Sequence, residues 1–137
     1  MAAGCASKPT QMAEVRQSVA SAEKSAASAT ISEWRFMDCM KAYAADHMDA
    51  KQDTQNLADI ALASCRAPLN AYIELRKMYH EQMDMGDAKS GARAEFLRHQ
   101  SAARANEETQ ELIERGRQAV IQALTDSTPA PPPPEQE

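Results

Sequence analysis

The chain has 137 residues, enough for one small domain but too few for two well-packed ones. Its net charge is −5 and its acidic and basic residues are interleaved, which argues against the basic face of a nucleic-acid-binding protein. No run of 18 apolar residues occurs within it, which excludes a membrane-spanning helix from this stretch of sequence.

The composition predicts an all-α fold. The chain is rich in alanine, the strongest helix former, and contains only 4 glycines. No segment shows the alternation of β-branched or aromatic residues that is typical of a strand. We therefore expect an antiparallel helical hairpin or bundle of three to four helices over 10–126, between a tether over 1–9 and a tail over 127–137.

The first residues place a cysteine in an unusual setting, because Ala2, Ala3 and Gly4 precede Cys5 and a polar stretch follows it. This stretch resembles the lipobox of bacterial lipoproteins, although Ala2 stands where leucine is usual. The resemblance implies a basic and apolar leader in the precursor, cleavage before Cys5, and attachment of lipid to Cys5. A chance Gly-Cys pair in a protein without lipid is the alternative.

The lipobox resemblance also implies a location. It predicts a membrane anchor at Cys5 in the envelope of a Gram-negative bacterium. Ala6 follows the cysteine where an aspartate often marks retention in the inner membrane. The resemblance therefore implies the periplasmic face of the outer membrane, with a soluble periplasmic protein as the alternative.

The first predicted helix carries an apolar seam with heptad spacing, formed by Met12, Val15, Val19, Ala22, Ala26 and Ala29. The seam can pack on the chain's own helices or on a partner protein. Thr30 and Glu33 fit a capping box, with Ala29 and Trp34 as a hydrophobic staple. These residues predict that helix 1 ends or bends near Ala29 and that helix 2 runs from about Ile31 to Asp46.

Cys39 and Cys65 are placed symmetrically about residue 52, within a polar stretch in which Asp53 or Thr54 can cap a new helix. Each cysteine also lies on an apolar stripe of its helix. An antiparallel hairpin that turns at this stretch brings both to the same height, so we expect a disulfide between helices 2 and 3. Such bonds persist in the periplasm rather than in the cytosol. Two buried free thiols in a cytosolic bundle are the alternative.

Helix 3 is predicted from about Thr54 to Met85, with a kink just after Cys65 because Pro68 removes one backbone hydrogen bond. Helix 4 is predicted over 92–124, with a loosely packed middle that offers only alanines to a core and is weakened by Gly116. The proline-rich tail favours an extended, disordered spacer that folding does not require; docking to a proline-reading groove is the alternative.

A methionine- and histidine-rich segment is the single candidate for metal chemistry, formed by Met78, His80, Met83 and Met85. Thioethers favour copper(I), but methionines in a chain with few aromatic residues also serve as core filler. We find no motif for a nucleophile or a phosphate loop, so we expect no enzyme and no cofactor.

Two functions are consistent with the sequence. The first is a lipid-anchored, non-enzymatic interaction or structural module of the cell envelope, with helix 1 or the proline-rich tail as its surface for a protein partner. The alternative is a periplasmic carrier of copper or a small ligand. The two internal cysteines and the segment before Cys65 also resemble small exported helical proteins of Gram-negative bacteria, a likeness that implies a compartment but no activity.

Overall fold

The computed structural model describes residues 8–84, 90–126 and 134. It contains four helices, α1 Lys8–Asp46, α2 Thr54–Ser64, α3 Arg66–Asp84 and α4 Gly91–Asp126, and no strand among the described residues. α2 and α3 run back along α1, and α4 returns parallel to α1, so that all four form one bundle. The predicted all-α fold is confirmed.

α1 is one continuous helix of 39 residues, so the predicted break near Ala29 is wrong. The Thr30 hydroxyl donates to the carbonyl oxygen of Ala26 (3.1 Å) instead of capping a new helix. The staple does not form either, because Ala29 is buried whereas Trp34 is exposed. Threonine can bond to its own helix in this way, and packing against α3 and α4 keeps the helix continuous. The predicted helix 2 is therefore the second half of α1.

The predicted third helix is divided at Cys65. Asp53 occupies the N-cap position of α2, and α2 ends at Ser64. α3 begins at Arg66, with Pro68 in its first turn, where a missing N–H group is tolerated. The break falls where Pro68 predicted a kink. The predicted end at Met85 lies outside the described residues.

The core changes in character along the bundle. Large apolar side chains, among them Phe36, Met40 and Leu112, fill the part around the disulfide. Small side chains line the other part, where Ser101, Ala105 and Thr109 of α4 are buried. The hydroxyls in α4 remain satisfied because they donate to carbonyl oxygens one turn earlier. The middle of α4 therefore enters the core through a serine and a threonine as well as an alanine, and the prediction that it offers the core only alanines is wrong.

The apolar seam predicted for helix 1 is only partly buried. Ala22 and Ala29 face the core, whereas Met12 and Val19 are exposed. The buried line passes instead through Ser25 and Ser32, together with Ala22 and Ala29. The Ser25 hydroxyl donates to Gln82 Oε1 of α3 (3.1 Å), so a polar residue can occupy this position without an unpaired group. The apolar pattern alone therefore misplaced the seam.

Candidate functional site

The predicted disulfide is present. Cys39 of α1 is bonded to Cys65 at the α2–α3 junction, with Cα atoms 5.9 Å apart. Cys65 is fully buried. The bond fixes the hairpin between α1 and the two returning helices at the level of the large apolar core.

Two other sequence predictions concern residues outside the described ranges. Cys5 precedes Lys8, where α1 begins, and the tail follows Asp126, where α4 ends. Of the tail, the structure describes only Pro134, which is exposed. Lipid attachment at Cys5 and the dispensable tail stay predictions.

The methionine and histidine residues of the proposed copper cluster point in different directions. His80 is buried at 9% exposure, whereas Met78 and Met83 are 46% and 51% exposed. Met85 lies outside the described residues. Across residues 8–84 and 90–126, no group of three or more His, Cys, Asp or Glu side chains is placed to hold a metal ion.

His80 belongs instead to a polar cluster that joins α3 to α4. Its Nε2–H group donates to one carboxylate oxygen of Glu108, and Arg76 forms an ion pair with the other. The Arg76 guanidinium also lies over the ring of Tyr79, 4.6 Å from its centroid. The Tyr79 and His80 rings meet edge to face at 5.2 Å. The side chains of α3 in this cluster therefore converge on one carboxylate of α4.

The environment of Glu108 changes its pKa through opposing effects. Partial burial raises the pKa of this carboxyl. The hydrogen bonds and charge interactions with Arg76 and His80 lower the pKa by a larger amount, so the net pKa lies below its usual range. Glu108 is thus held ionised as the acceptor for Arg76 and His80. The sequence did not indicate this role, because Glu108 is separated from His80 by 28 residues in the chain.

Tyr72 lies next to this cluster and is buried at 6% exposure. Burial, followed by the negative charge of Glu108, raises the pKa of its phenol, while the charge of Arg76 opposes the increase. Arg76, His80 and Glu108 therefore link α3 to α4 through interactions that are directed at one another.

Among the described side chains of α1, Trp34 is the most exposed large apolar one, at 73% exposure, and Ile31 lies one turn before it at 54%. A shallow groove beside Trp34 runs between α1 and α4. Its lining consists of Glu33, Trp34, Met37, Asp38, Lys41 and Arg115. Arg115 donates to Glu33 Oε1 (2.8 Å) across the groove and so fixes α4 against α1 at this level. An indole beside charged groups in a shallow groove is suited to contact with a protein surface.

None of the described helices is both long enough and apolar enough to cross a membrane. Comparisons with models of protein families, with curated proteins and with solved structures found no match.

Proposed function

We propose that this protein is a non-enzymatic helical interaction module of the bacterial cell envelope. Lipid on Cys5 anchors it to the periplasmic face of the outer membrane, and the bundle over 8–126 presents a surface to a protein partner. The exposure of Trp34 carries the interaction part of this proposal.

The cysteines support the compartment. A Cys39–Cys65 bond persists where thiols are oxidised, and the periplasm is such a compartment. The remaining cysteine, Cys5, lies in the segment that resembles a lipobox. Cys5 precedes Lys8, the first residue of α1, by three positions in the sequence, so an anchor at Cys5 would hold the start of α1 near the membrane.

The exposed apolar residues support a role in binding. Trp34 and Ile31 form an exposed apolar patch. Such patches can mark interaction sites, and tryptophan is enriched at binding hot spots. Trp34 and Ile31 lie on the face of α1 that points away from the buried Phe36. Neither side chain is needed to fill the core of the bundle.

A periplasmic copper or small-ligand carrier has less support in the geometry. His80 Nε2 is engaged by Glu108, and Met78 and Met83 are about half exposed, whereas His80 is buried. Binding of copper through Nε2 of His80 would require this nitrogen to leave the carboxylate that accepts from it.

Metabolic labelling tests the anchor. Cells that produce the protein from its natural precursor are fed an alkyne analogue of palmitate, and membrane and soluble fractions are compared for the wild type and Cys5→Ser. We expect label and membrane association for the wild type. Both should be lost in the variant.

The matched control replaces the other two cysteines, Cys39 and Cys65, by serine. This double variant should keep its label, since the bridge is not the acylation site. An unlabelled wild type, or a Cys5→Ser protein that stays labelled, would show that the anchor has been wrongly assigned.

A further inference from the structure

The outward face of α1 carries a regular stripe that no other described helix covers. Its exposed members recur at alternating spacings of four and three residues and are Ala20, Lys24, Ala27, Ile31, Trp34 and Asp38. Ala29 and Phe36, on the opposite face, are 1% and 0% exposed. Alternating spacings of this kind are typical of a helix that pairs with another helix along its length. The bundle is thus already complete on one side of α1, and a second pairing surface lies on the other.

We propose that this stripe pairs with the same stripe of a second copy of the chain, with the two α1 helices antiparallel. This pairing identifies a second copy of the chain as the partner of the interaction module proposed above, and it rests on the interaction part of that proposed function. It does not depend on lipid at Cys5. The dimer has twofold symmetry, so each contact occurs twice.

Size complementarity sets the register of the pair. In this register Ile31 of each copy lies opposite Ala27 of the other. The large isoleucine side chain therefore meets a small alanine in both of these symmetry-related contacts. The same register places Trp34 opposite Lys24. The aliphatic stem of Lys24 can then cover the indole, and its ammonium group gains a cation–π contact.

Charge complementarity favours the same arrangement. Asp38 lies one turn after Trp34, so its carboxylate is within reach of the ammonium group of Lys24 from the second copy. No hydrogen bond or ion pair engages Lys24 or Asp38 within residues 8–84 and 90–126. In a parallel pair, Lys24 would face Lys24 and Asp38 would face Asp38, and both contacts would be repulsive.

The size of the stripe predicts a weak and reversible dimer. From Ala20 to Asp38 the helix extends about 27 Å. A single pair of helices of this length buries less area than a standard stable interface. We therefore expect dissociation at low micromolar concentration and a dimer at higher concentration.

The tryptophan itself reports on the interface, since the chain contains only 1. The test uses the full chain with Cys5→Ser, so that lipid cannot cause association, and keeps the Cys39–Cys65 bond. Sedimentation equilibrium gives the dissociation constant, and fluorescence follows Trp34 in the same samples. We expect a blue shift of the emission and weaker quenching by acrylamide as concentration rises.

Trp34→Ala should raise the dissociation constant roughly 30-fold, as loss of a hot-spot residue does. The matched control is Phe96→Ala, which removes a side chain of similar exposure (60%) from α4. It should leave the dissociation constant unchanged. Circular dichroism checks that both variants keep the helical fold, which is expected because neither side chain lies in the core.

A charge exchange tests the orientation. Lys24→Glu should weaken the antiparallel dimer several-fold because the new carboxylate lies near Asp38, and Lys24→Glu with Asp38→Lys should restore it. A Lys24→Glu protein with an unchanged dissociation constant would indicate a parallel pair, in which one like-charge contact replaces another, and would contradict the proposal. A chain that stays monomeric at every concentration would overturn the proposal. Phe96→Ala weakening the dimer as much as Trp34→Ala does would overturn it too. None of these outcomes affects labelling at Cys5, so the dimer and the anchor can fail separately.

Discussion

Gly116 of α4 lies directly against the aromatic ring of Phe36 in α1. A Cβ atom built on Gly116 would lie 2.6 Å from Cε1 of Phe36 and 3.3 Å from Cγ of Met40, both closer than ordinary packing permits. Phe36 is completely buried among core side chains, so its ring cannot turn out into solvent to make room. The missing side chain therefore allows α4 to approach α1 at this level.

Gly116→Ala should destabilise the protein even though alanine is the better helix former. The gain in helix propensity is about 1 kcal/mol, whereas overpacking of a close-packed core costs about 1–3 kcal/mol. We expect a net loss of about 1 kcal/mol in the free energy of unfolding, measured by urea denaturation. In Phe36→Leu the same change should cost less, because the ring is gone. A Gly116→Ala protein more stable than the wild type would contradict this packing.

Removing the Cys39–Cys65 bond should cause a large loss of stability. Closing a loop of 26 residues contributes about 3.5 kcal/mol in the chain-entropy model. The double variant with serine at both positions should therefore unfold at a markedly lower urea concentration. Cys5→Ser is the control and should keep the wild-type midpoint. Equal midpoints for all three proteins, or free thiols at 39 and 65 in peptide maps of exported material, would contradict the bond.

Glu108 should make the stability of the bundle sensitive to acid. The pKa of its carboxyl in the folded protein lies below the unfolded value, so its contribution is present above the unfolded pKa and is lost as pH falls through the folded pKa. Glu108→Gln should cost about 1–3 kcal/mol near neutral pH because Arg76 and His80 lose their charged acceptor. The difference from the wild type should shrink in acid, as pH falls below the unfolded pKa of about 4.3 and then through the lowered folded pKa, where Glu108 becomes protonated. Urea unfolding at a series of pH values measures both effects.

The neighbouring residue Glu107 provides the control for this experiment. It is exposed, and Glu107→Gln changes the same charge without touching the cluster. This variant should follow the pH dependence of the wild type. A Glu107→Gln protein that loses as much stability as Glu108→Gln would mean that net charge, rather than the cluster, is responsible.

Ionisation of Tyr72 should lower the free energy of unfolding at alkaline pH. Burial, assisted by the charge of Glu108, raises the pKa of its phenol above the unfolded value. The neutral phenol therefore contributes stability that is fully present below the unfolded pKa of about 10 and is lost as pH rises through the folded pKa. Tyr72→Phe should flatten the decline in unfolding free energy above about pH 10. Tyr79→Phe is the control and should retain the decline; a Tyr72→Phe protein with an unchanged alkaline slope would contradict the assignment.

Local rules were sufficient for the elements that depend on neighbouring residues. Composition predicted the all-α class, the polar stretch before Asp53 predicted the turn, and Pro68 predicted a kink at the place beside Cys65 where α2 and α3 separate. The disulfide followed from the same information, because the position of the turn fixes which residues of a helical hairpin lie at equal height. These features need only the spacing of residues and the geometry of a helix.

The tertiary structure decided the features in which a local signal competes with packing. Thr30 could cap a new helix or bond back to Ala26, and the contacts of α1 with α3 and α4 selected the second. Gly116 is a weak point by helix propensity, yet the close approach of Phe36 requires it. Glu108 is one acidic residue among many in the sequence, and only the packing of α4 on α3 brings it to Arg76 and His80.

The sequence by itself thus determined which segments are helical and where the hairpin closes, because these depend on a few adjacent residues. Only the packing of the helices decided which face of each helix is buried and which is exposed to solvent, as Trp34 is. The reason is that the burial of a face depends on contacts between residues that are far apart in the chain.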